Sequence, residues 1–385
     1  MKKHNNISFM HETIQYKWED VPDEKYANWL KMLRTDNLDT ADFSVSGFPY
    51  MLQIEPTNFC NLSCPLCPAG RKSELNRKRR HMSFKEFKSI IDDMQKYLLF
   101  VVLWEWGEPF LNPELPEMIQ YASEKGIKVI TSTNAQLLEN KNYVERTLRS
   151  GLATLIIAID SLKSENYLKY RKGGNLDKAI SGLENIILLK KQLNSKVLIN
   201  LRMVIMKSNE NELPEMRKFA KRMKVDKFTV KTVNPSCGLI SMDHECVPEN
   251  PLYRRYAYKP ESYERIRING LCIKVNQMSS IFSNGDVVPC CYDYNSEMKI
   301  GNINKTPLTE LWNGNAYREL RKIIHYAKDR FPKCKECGIN YELSKASSIS
   351  DSWFPEAHDS NIGAIKRINN YTKNIVKLFS ARKVL

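Results

Sequence analysis

A chain of 385 residues is long enough for one large domain and a small one, or for two modest ones. Its 59 Lys and Arg exceed 44 Asp and Glu, a formal charge of +15 that favours anionic partners such as nucleotides, phosphorylated sugars or acidic surfaces. No apolar stretch follows the two N-terminal lysines, and the longest apolar run, Tyr97 to Trp104, is far short of the ~18 residues of a membrane span, which argues against a secretory signal or a transmembrane segment. A cytoplasmic chain is therefore expected, and its ten cysteines point to metal ligation or catalysis rather than disulfides.

Residues 1–49 read as an N-terminal extension, a short helix and a linker. From about residue 50, short β-rich runs alternate with amphipathic patterns. Strands are expected at Met51–Glu55, Phe100–Trp104, Lys128–Ser132, Thr154–Asp160, Lys196–Val204 and Lys227–Thr232. Helices are expected over Ser83–Lys96, Leu115–Lys125, Leu176–Lys191 and Leu213–Met223. This alternation predicts βα units and a parallel sheet, either an open doubly wound one or part of a barrel.

The pattern stops after Val233, so a domain boundary is expected near residue 234. Residues 234–270 read as a long loop. A hairpin follows, Val275–Ser283 and Asp286–Cys290 about an Asn284-Gly285 turn. Leu308–Tyr326 reads as one helix, and residues 346–385 as a helical tail. In that tail Ile365, Ile368, Tyr371, Ile375 and Phe379 share a face beside several basic residues. Packing onto the barrel is the commoner fate of such a face; peripheral contact with an anionic membrane is the other.

Cys60, Cys64 and Cys67 follow the first expected strand in EPTNFCNLSCPLCPAG. Pro65 would fall inside any helix built on that spacing, at a cost of ~3 kcal/mol, so a loop wrapped around a ligand is the better reading. Three thiolates suit an iron–sulfur cluster with one iron left open, whereas structural zinc wants a fourth ligand close by. Sites in βα folds also lie at the carboxyl ends of strands.

Cys60-x-x-x-Cys64-x-Leu66-Cys67 resembles the signature of the radical S-adenosylmethionine superfamily. Trp106-Gly107-Glu108-Pro109 resembles the family's Gly-Gly-Glu-Pro motif, with Trp in place of the first glycine. Ser132-Thr133-Asn134 resembles its Thr-Asn-Gly segment, with Ala135 in place of the glycine. Ile159-Asp160-Ser161 resembles a Ser-x-Asp-Ser segment, and Arg171 fits an arginine often found after it. The resemblance implies a partial (β/α)6 TIM-like barrel over residues 50–233. It also implies a SAM-cleaving 4Fe-4S cluster on the three cysteines and S-adenosyl-L-methionine held by Gly107, Glu108, Pro109, Ser132, Asn134, Asp160, Ser161 and Arg171.

Cys272, Cys290, Cys334 and Cys337 form a second set. Four thiolates complete either a tetrahedral zinc site or a four-iron cluster, and spacing does not separate the two. With Gly285-x4-Cys290, Gly301-Asn302-Ile303 and Leu311-Trp312-Asn313, they resemble the SPASM/twitch extension of the same superfamily. The absence of cysteine after Cys337 fits the shorter twitch form, which implies a second, auxiliary 4Fe-4S cluster in residues 234–345. Cys291 is an alternative ligand to Cys290, disfavoured by the Gly-x4-Cys spacing.

Other residues carry blander readings. Cys237 and Cys246, in the loop after the sixth strand, are weak candidates for a hydrogen-atom donor, though such thiols are more often spectators. Asp243, His244 and Glu245 read as a solvated loop. The basic run Arg71–His81 lacks interleaved aromatics, so no specific nucleic acid is expected; a loop that helps hold an anionic substrate fits it better. The leading expectation is hydrogen abstraction by a 5′-deoxyadenosyl radical from a small polar substrate, an amino sugar, nucleotide sugar or polyol, leading to oxidation or epimerisation. An external donor such as flavodoxin or ferredoxin would supply electrons. A peptide-modifying enzyme is the alternative, weakened by the short segment ahead of the first strand. A zinc protein contacting nucleic acid is the third reading, and it leaves the strand-end motifs unexplained.

Overall fold

The computed structural model describes residues 9–11, 14–16, 21–33, 38–71, 74–235 and 243–347. A short ribbon, β1 (Phe9–His11) and β2 (Ile14–Tyr16), precedes helix α1 (Asp23–Leu33). Six parallel strands follow: β3 (Met51–Ile54), β4 (Phe100–Leu103), β5 (Lys128–Thr133), β6 (Thr154–Ala158), β7 (Leu198–Ile205) and β8 (Lys227–Thr232). They are joined by α2 (Phe84–Met94), α3 (Leu115–Glu124), α4 (Lys141–Arg149), α5 (Ser164–Tyr170), α6 (Leu176–Gln192) and α7 (Leu213–Met223). Only α4 and α5 went unanticipated. α4 buries just Val144, Thr147 and Leu148, and α5 is seven residues long and buries Tyr167, so each offers few apolar positions to read.

The strands lie side by side in chain order, β3 to β8, all parallel. A doubly wound sheet reverses order at a switch point, and this one does not, so the winding is that of a partial barrel. Alternate residues divide between two cores. Leu52, Val101, Leu103, Val129 and Leu155 pack outward against Phe87, Ile91, Ile119 and Leu183 of the helices. Met51, Phe100, Val102, Ile130 and Ile156 face inward and meet Tyr26 and Trp29 of α1, which floors the barrel where its strands begin. Further along the strands the interior turns polar: Arg202 on β7 donates to Thr229 on β8 at 3.1 Å.

The expected boundary near residue 234 is not a break in the sheet. β9 (Ser279–Ile281) runs parallel to β3, with Gln53 opposite Ser280, and β10 (Asp286–Val288) and β11 (Gly301–Asn302) extend the sheet to nine strands. The hairpin begins later than expected, because Lys274–Asn276 forms a 3-10 turn. Helices α8 (Asp243–Cys246), α9 (Leu308–Trp312), α10 (Asn315–Ala327) and α11 (Pro332–Lys335) complete the described chain. The single helix expected over 308–326 is therefore two. Asn313 is drawn away to bond both backbone groups of Val45, and Arg321 takes the Trp312 carbonyl, so the groups that would continue the helix have tertiary partners. Most of the expected C-terminal helix, from residue 348 onward, lies outside the described residues. No helix among the described residues is long and apolar enough to cross a membrane.

One buried ion pair joins these parts. Glu55, just past β3, accepts both guanidinium nitrogens of Arg77 at 2.8 and 2.7 Å, and the Ser283 hydroxyl of the hairpin at 2.8 Å. Arg77 lies on the Phe282 ring, 3.9 Å from its centroid, and its Nε donates to the Tyr294 carbonyl at 2.6 Å. Arg77→Met would strand the Glu55 carboxylate in the interior and is expected to lower unfolding free energy by about 3–5 kcal/mol. Glu55→Met together with Arg77→Met should recover most of that loss. Urea unfolding of the single and double variants checks both.

Candidate functional site

The loop after β3 is irregular from Cys60 to Gly70, as its prolines require. It folds back on itself: Cys67 N–H donates to the Cys64 carbonyl, and the Gly70 and Arg71 N–H groups donate to that of Cys67. A side chain at Gly70 would place its Cβ 2.5 Å from the Cys64 backbone, so only glycine allows this return. Cys64 is buried, and Cys60 and Cys67 are half-buried. Burial pushes the Cys60 thiol up to about 12 and the Cys64 thiol up to about 11, and raises Cys67 as well. Neighbouring thiols add to the shifts of Cys60 and Cys64. Soft donors held neutral in this way lose their protons when a cation enters among them.

The strand-end residues close around this loop. A Cβ at Gly107 would lie 2.1 Å from the Thr57 carbonyl oxygen, so glycine is needed where the β4 end crosses the cysteine loop. Glu108 N–H donates to the Phe59 carbonyl at 2.8 Å. The buried Glu108 carboxylate accepts the Asn134 and Phe110 N–H groups, yet desolvation still lifts its pKa to about 7. Pro109 opens a 3-10 turn beside it. Asn134 Nδ2 donates to Asn61 at 2.8 Å, tying the β5 end to the cysteine loop. Ala135 adopts φ 65°, the left-handed conformation that explains the glycine of the similar family segment. Ser132 is half-buried on β5.

Asp160 and Ser161 are engaged within the protein. Asp160 accepts Arg171 Nε at 2.7 Å and the Val204 N–H at 2.8 Å. Arg171 also lies near Cys64, opposing the rise of that thiol. The Ser161 hydroxyl donates to Glu212 at 2.8 Å. Glu212 is a buried carboxylate that also receives Leu162 N–H and the Asn166 amide; the sequence offered no sign of it. Glu105 was missed too: its carboxyl oxygens are buried beside Ser280, and desolvation with the nearby Glu55 charge raises its pKa well above the ordinary value. The basic run is largely taken up by the fold. Arg71, Arg77 and Arg80 pair with Glu74, Glu55 and Glu86, and Arg79 bonds the Asn58 carbonyl.

The second set converges. Cys272, Cys290, Cys334 and Cys337 line one cavity, walled by Val275, Met298 and Ile324. Cys291 does not line it; its carbonyl instead accepts the Trp106 indole N–H at 2.9 Å. Burial and mutual repulsion raise Cys290 strongly and push Cys334 up to about 12. Among the described residues no three His, Cys, Asp or Glu side chains are grouped to hold a single metal ion. A four-iron cluster, whose cysteines each bind a different iron, asks for no such grouping. Cys246 is buried with Leu66, Met206, Val233 and Val247, and Cys237 lies outside the described residues.

Residues 54–220 match the model of the radical SAM superfamily, and residues 272–338 match SPASM, an iron–sulfur cluster-binding domain. The chain carries a radical SAM domain followed by a SPASM domain. These domains mark an enzyme that uses S-adenosylmethionine and iron–sulfur clusters. It is 30% identical over 158 residues to an Fe-coproporphyrin III synthase of Methanosarcina barkeri, 41% of this chain and 37% of that protein. It is 23% identical to a cofactor-modifying protein for the tungsten-containing aldehyde ferredoxin oxidoreductase of Pyrococcus furiosus, over 78% of this chain and 91% of that one. Among solved structures, Streptococcus suis SuiB bound to precursor peptide SuiA shares the fold at TM-score 0.56 and 19% identity, covering 80% of this chain and 77% of that chain.

Two outcomes test this geometry. Glu108 has a folded pKa of about 7 against an ordinary 4.5, so the folded state binds the extra proton. Its contribution is complete below pH 4.5 and is lost as pH rises through 7, by roughly 3 kcal/mol when fully ionised. Glu108→Gln should reduce the decline in urea stability of the cofactor-free protein between pH 5 and pH 8, leaving the slopes from Asp293, raised to about 6, and from Glu105, raised well above its ordinary value. Gly107→Ala should cost about 1–3 kcal/mol through overpacking and lower iron retained at the first cysteine set, read by thermal unfolding and iron assay.

Proposed function

We propose that Cys60, Cys64 and Cys67 hold the SAM-cleaving cluster, and that Cys272, Cys290, Cys334 and Cys337 hold a single auxiliary one. The observation that carries this is the convergence of the second four on one cavity, stitched to the loop that carries the first three. When bound, the first cluster with S-adenosylmethionine supplies a 5′-deoxyadenosyl radical. The chain's own part is to place the cosubstrate. Gly107, Glu108 and Pro109 bring the β4 end against the cysteine loop, where Glu108 would take the methionyl amine. Ser132 and Asn134, at the β5 end, would hold the ribose. Arg171, braced by Asp160, holds positive charge beside Cys64, while Ser161 fixes the turn after β6 through Glu212.

The substrate is a small polar molecule, an amino sugar, nucleotide sugar or polyol, oxidised or epimerised at an unactivated C–H bond. The polar inner face around Asn200, Arg202 and Thr229 supports this reading. The auxiliary cluster exchanges electrons, and a flavodoxin or ferredoxin supplies them from outside. A peptide-modifying enzyme is the second reading, favoured by the likeness to peptide-bound SuiB. Against it, α1 is committed to flooring the barrel.

Anaerobic reconstitution should give about eight irons per chain, falling to about four in the Cys60/Cys64/Cys67→Ala triple variant. Four irons with one zinc would remove the auxiliary redox role. Deuterated inositol, glucosamine and UDP-glucose are then screened for deuterium transfer into 5′-deoxyadenosine. Transfer supports the small-molecule reading, whereas nanomolar binding of a leader peptide without such transfer would replace it.

A further inference from the structure

The loops that carry the two cysteine sets meet directly, and Trp106 stands at their junction. Its indole packs in the same apolar cluster as Ala69, Leu75, Tyr294, Cys60 and Cys67. On its other side the indole N–H donates to the carbonyl of Cys291, the residue after Cys290, at 2.9 Å. The ring meets Tyr294 edge-on, with centroids 5.9 Å apart. The junction is held firmly: Arg77 Nε donates to the Tyr294 carbonyl, Asn295 Nδ2 to the Glu74 carbonyl, and Asn76 N–H to Asn295 Oδ1.

We propose that Trp106 is the electron bridge between the two clusters. Electron tunnelling decays less steeply through bonded, hydrogen-bonded and closely packed atoms than across solvent or a gap. From Cys290 the route runs along one peptide to the Cys291 carbonyl, through the hydrogen bond into the indole, and across it to the Cys60–Cys67 loop. A glycine here, as in the similar family motif, would leave neither the hydrogen bond nor the ring. The step moves one electron: the reduced auxiliary cluster returns to its 2+ state, the SAM-cleaving cluster goes from 2+ to 1+, and no proton or bond is exchanged. The inference rests on the reading that both cysteine sets hold 4Fe-4S clusters.

The test uses reconstituted holoenzyme of wild type, Trp106→Phe and Trp106→Gly, with iron counted and both midpoint potentials measured. Deazaflavin photoreduction delivers less than one electron per chain. Rapid-freeze electron paramagnetic resonance then follows its redistribution, the first cluster being identified by the change in its signal when S-adenosylmethionine is added. Redistribution is expected to slow by about tenfold or more in Trp106→Gly and by less in Trp106→Phe, with potentials unmoved. A role in packing alone would lower stability and leave the rate at its wild-type value. An unchanged rate in Trp106→Gly loaded with both clusters overturns the bridge. If Trp106→Gly does not load, an unchanged rate in Trp106→Phe overturns it. A wild type with one cluster and one zinc removes the two-cluster reading itself, and the bridge with it.

Discussion

The architecture depends on the Glu55–Arg77 pair. Two charges taken out of water are tolerated only when geometry and added hydrogen bonds compensate, and here they do. The guanidinium is bidentate on the carboxylate, stacked on Phe282 and bonded to the Tyr294 carbonyl. Each partner belongs to a different part of the chain. Glu55 lies just past the first barrel strand, Arg77 follows the first cysteine loop, Phe282 and Ser283 belong to the C-terminal hairpin, and Tyr294 lies in the segment after it. A single buried interaction thus fixes where two cysteine-bearing segments lie relative to one another.

That weld fixes the C-terminal SPASM portion against the barrel, whose sheet it continues. The β9 strand takes the open edge of β3, which would otherwise present unpaired backbone groups. Segment 38–50 is gripped from the other side, with the Trp312 indole donating to the Gly47 carbonyl and Asn313 bonding Val45. The cavity lined by four cysteines is consequently rigidly placed near the loop with three.

Both sites share one electrostatic condition. The thiols of Cys60, Cys64, Cys67, Cys290, Cys334 and Cys337 are desolvated, so burial drives them towards the neutral form. The positive charges beside them include Arg171 and Arg71 at the first set, and Lys274 and Arg255 at the second. Such sites are poised for polycationic iron, whose binding offsets a desolvation that no side chain here does.

The sequence by itself determined the six strands and four of the six helices that join them, because apolar period and strand-end turns are local properties. It also picked out the seven cysteines now found in two places, with Cys290 rather than Cys291 facing the cavity. The strand-end motifs were legible because each sits at a β-to-loop junction. What only the tertiary structure decided was how these pieces use their polar groups. Arg77 looked like one cation of a solvated run, and Glu55 like a strand terminus. Their pairing spans a β-strand edge that no periodicity reveals. Glu212, Glu105 and the break at Asn313 were hidden for the same reason. A buried carboxylate or a diverted amide is defined by partners far away in the chain, and those exist only once the sheet has brought them together.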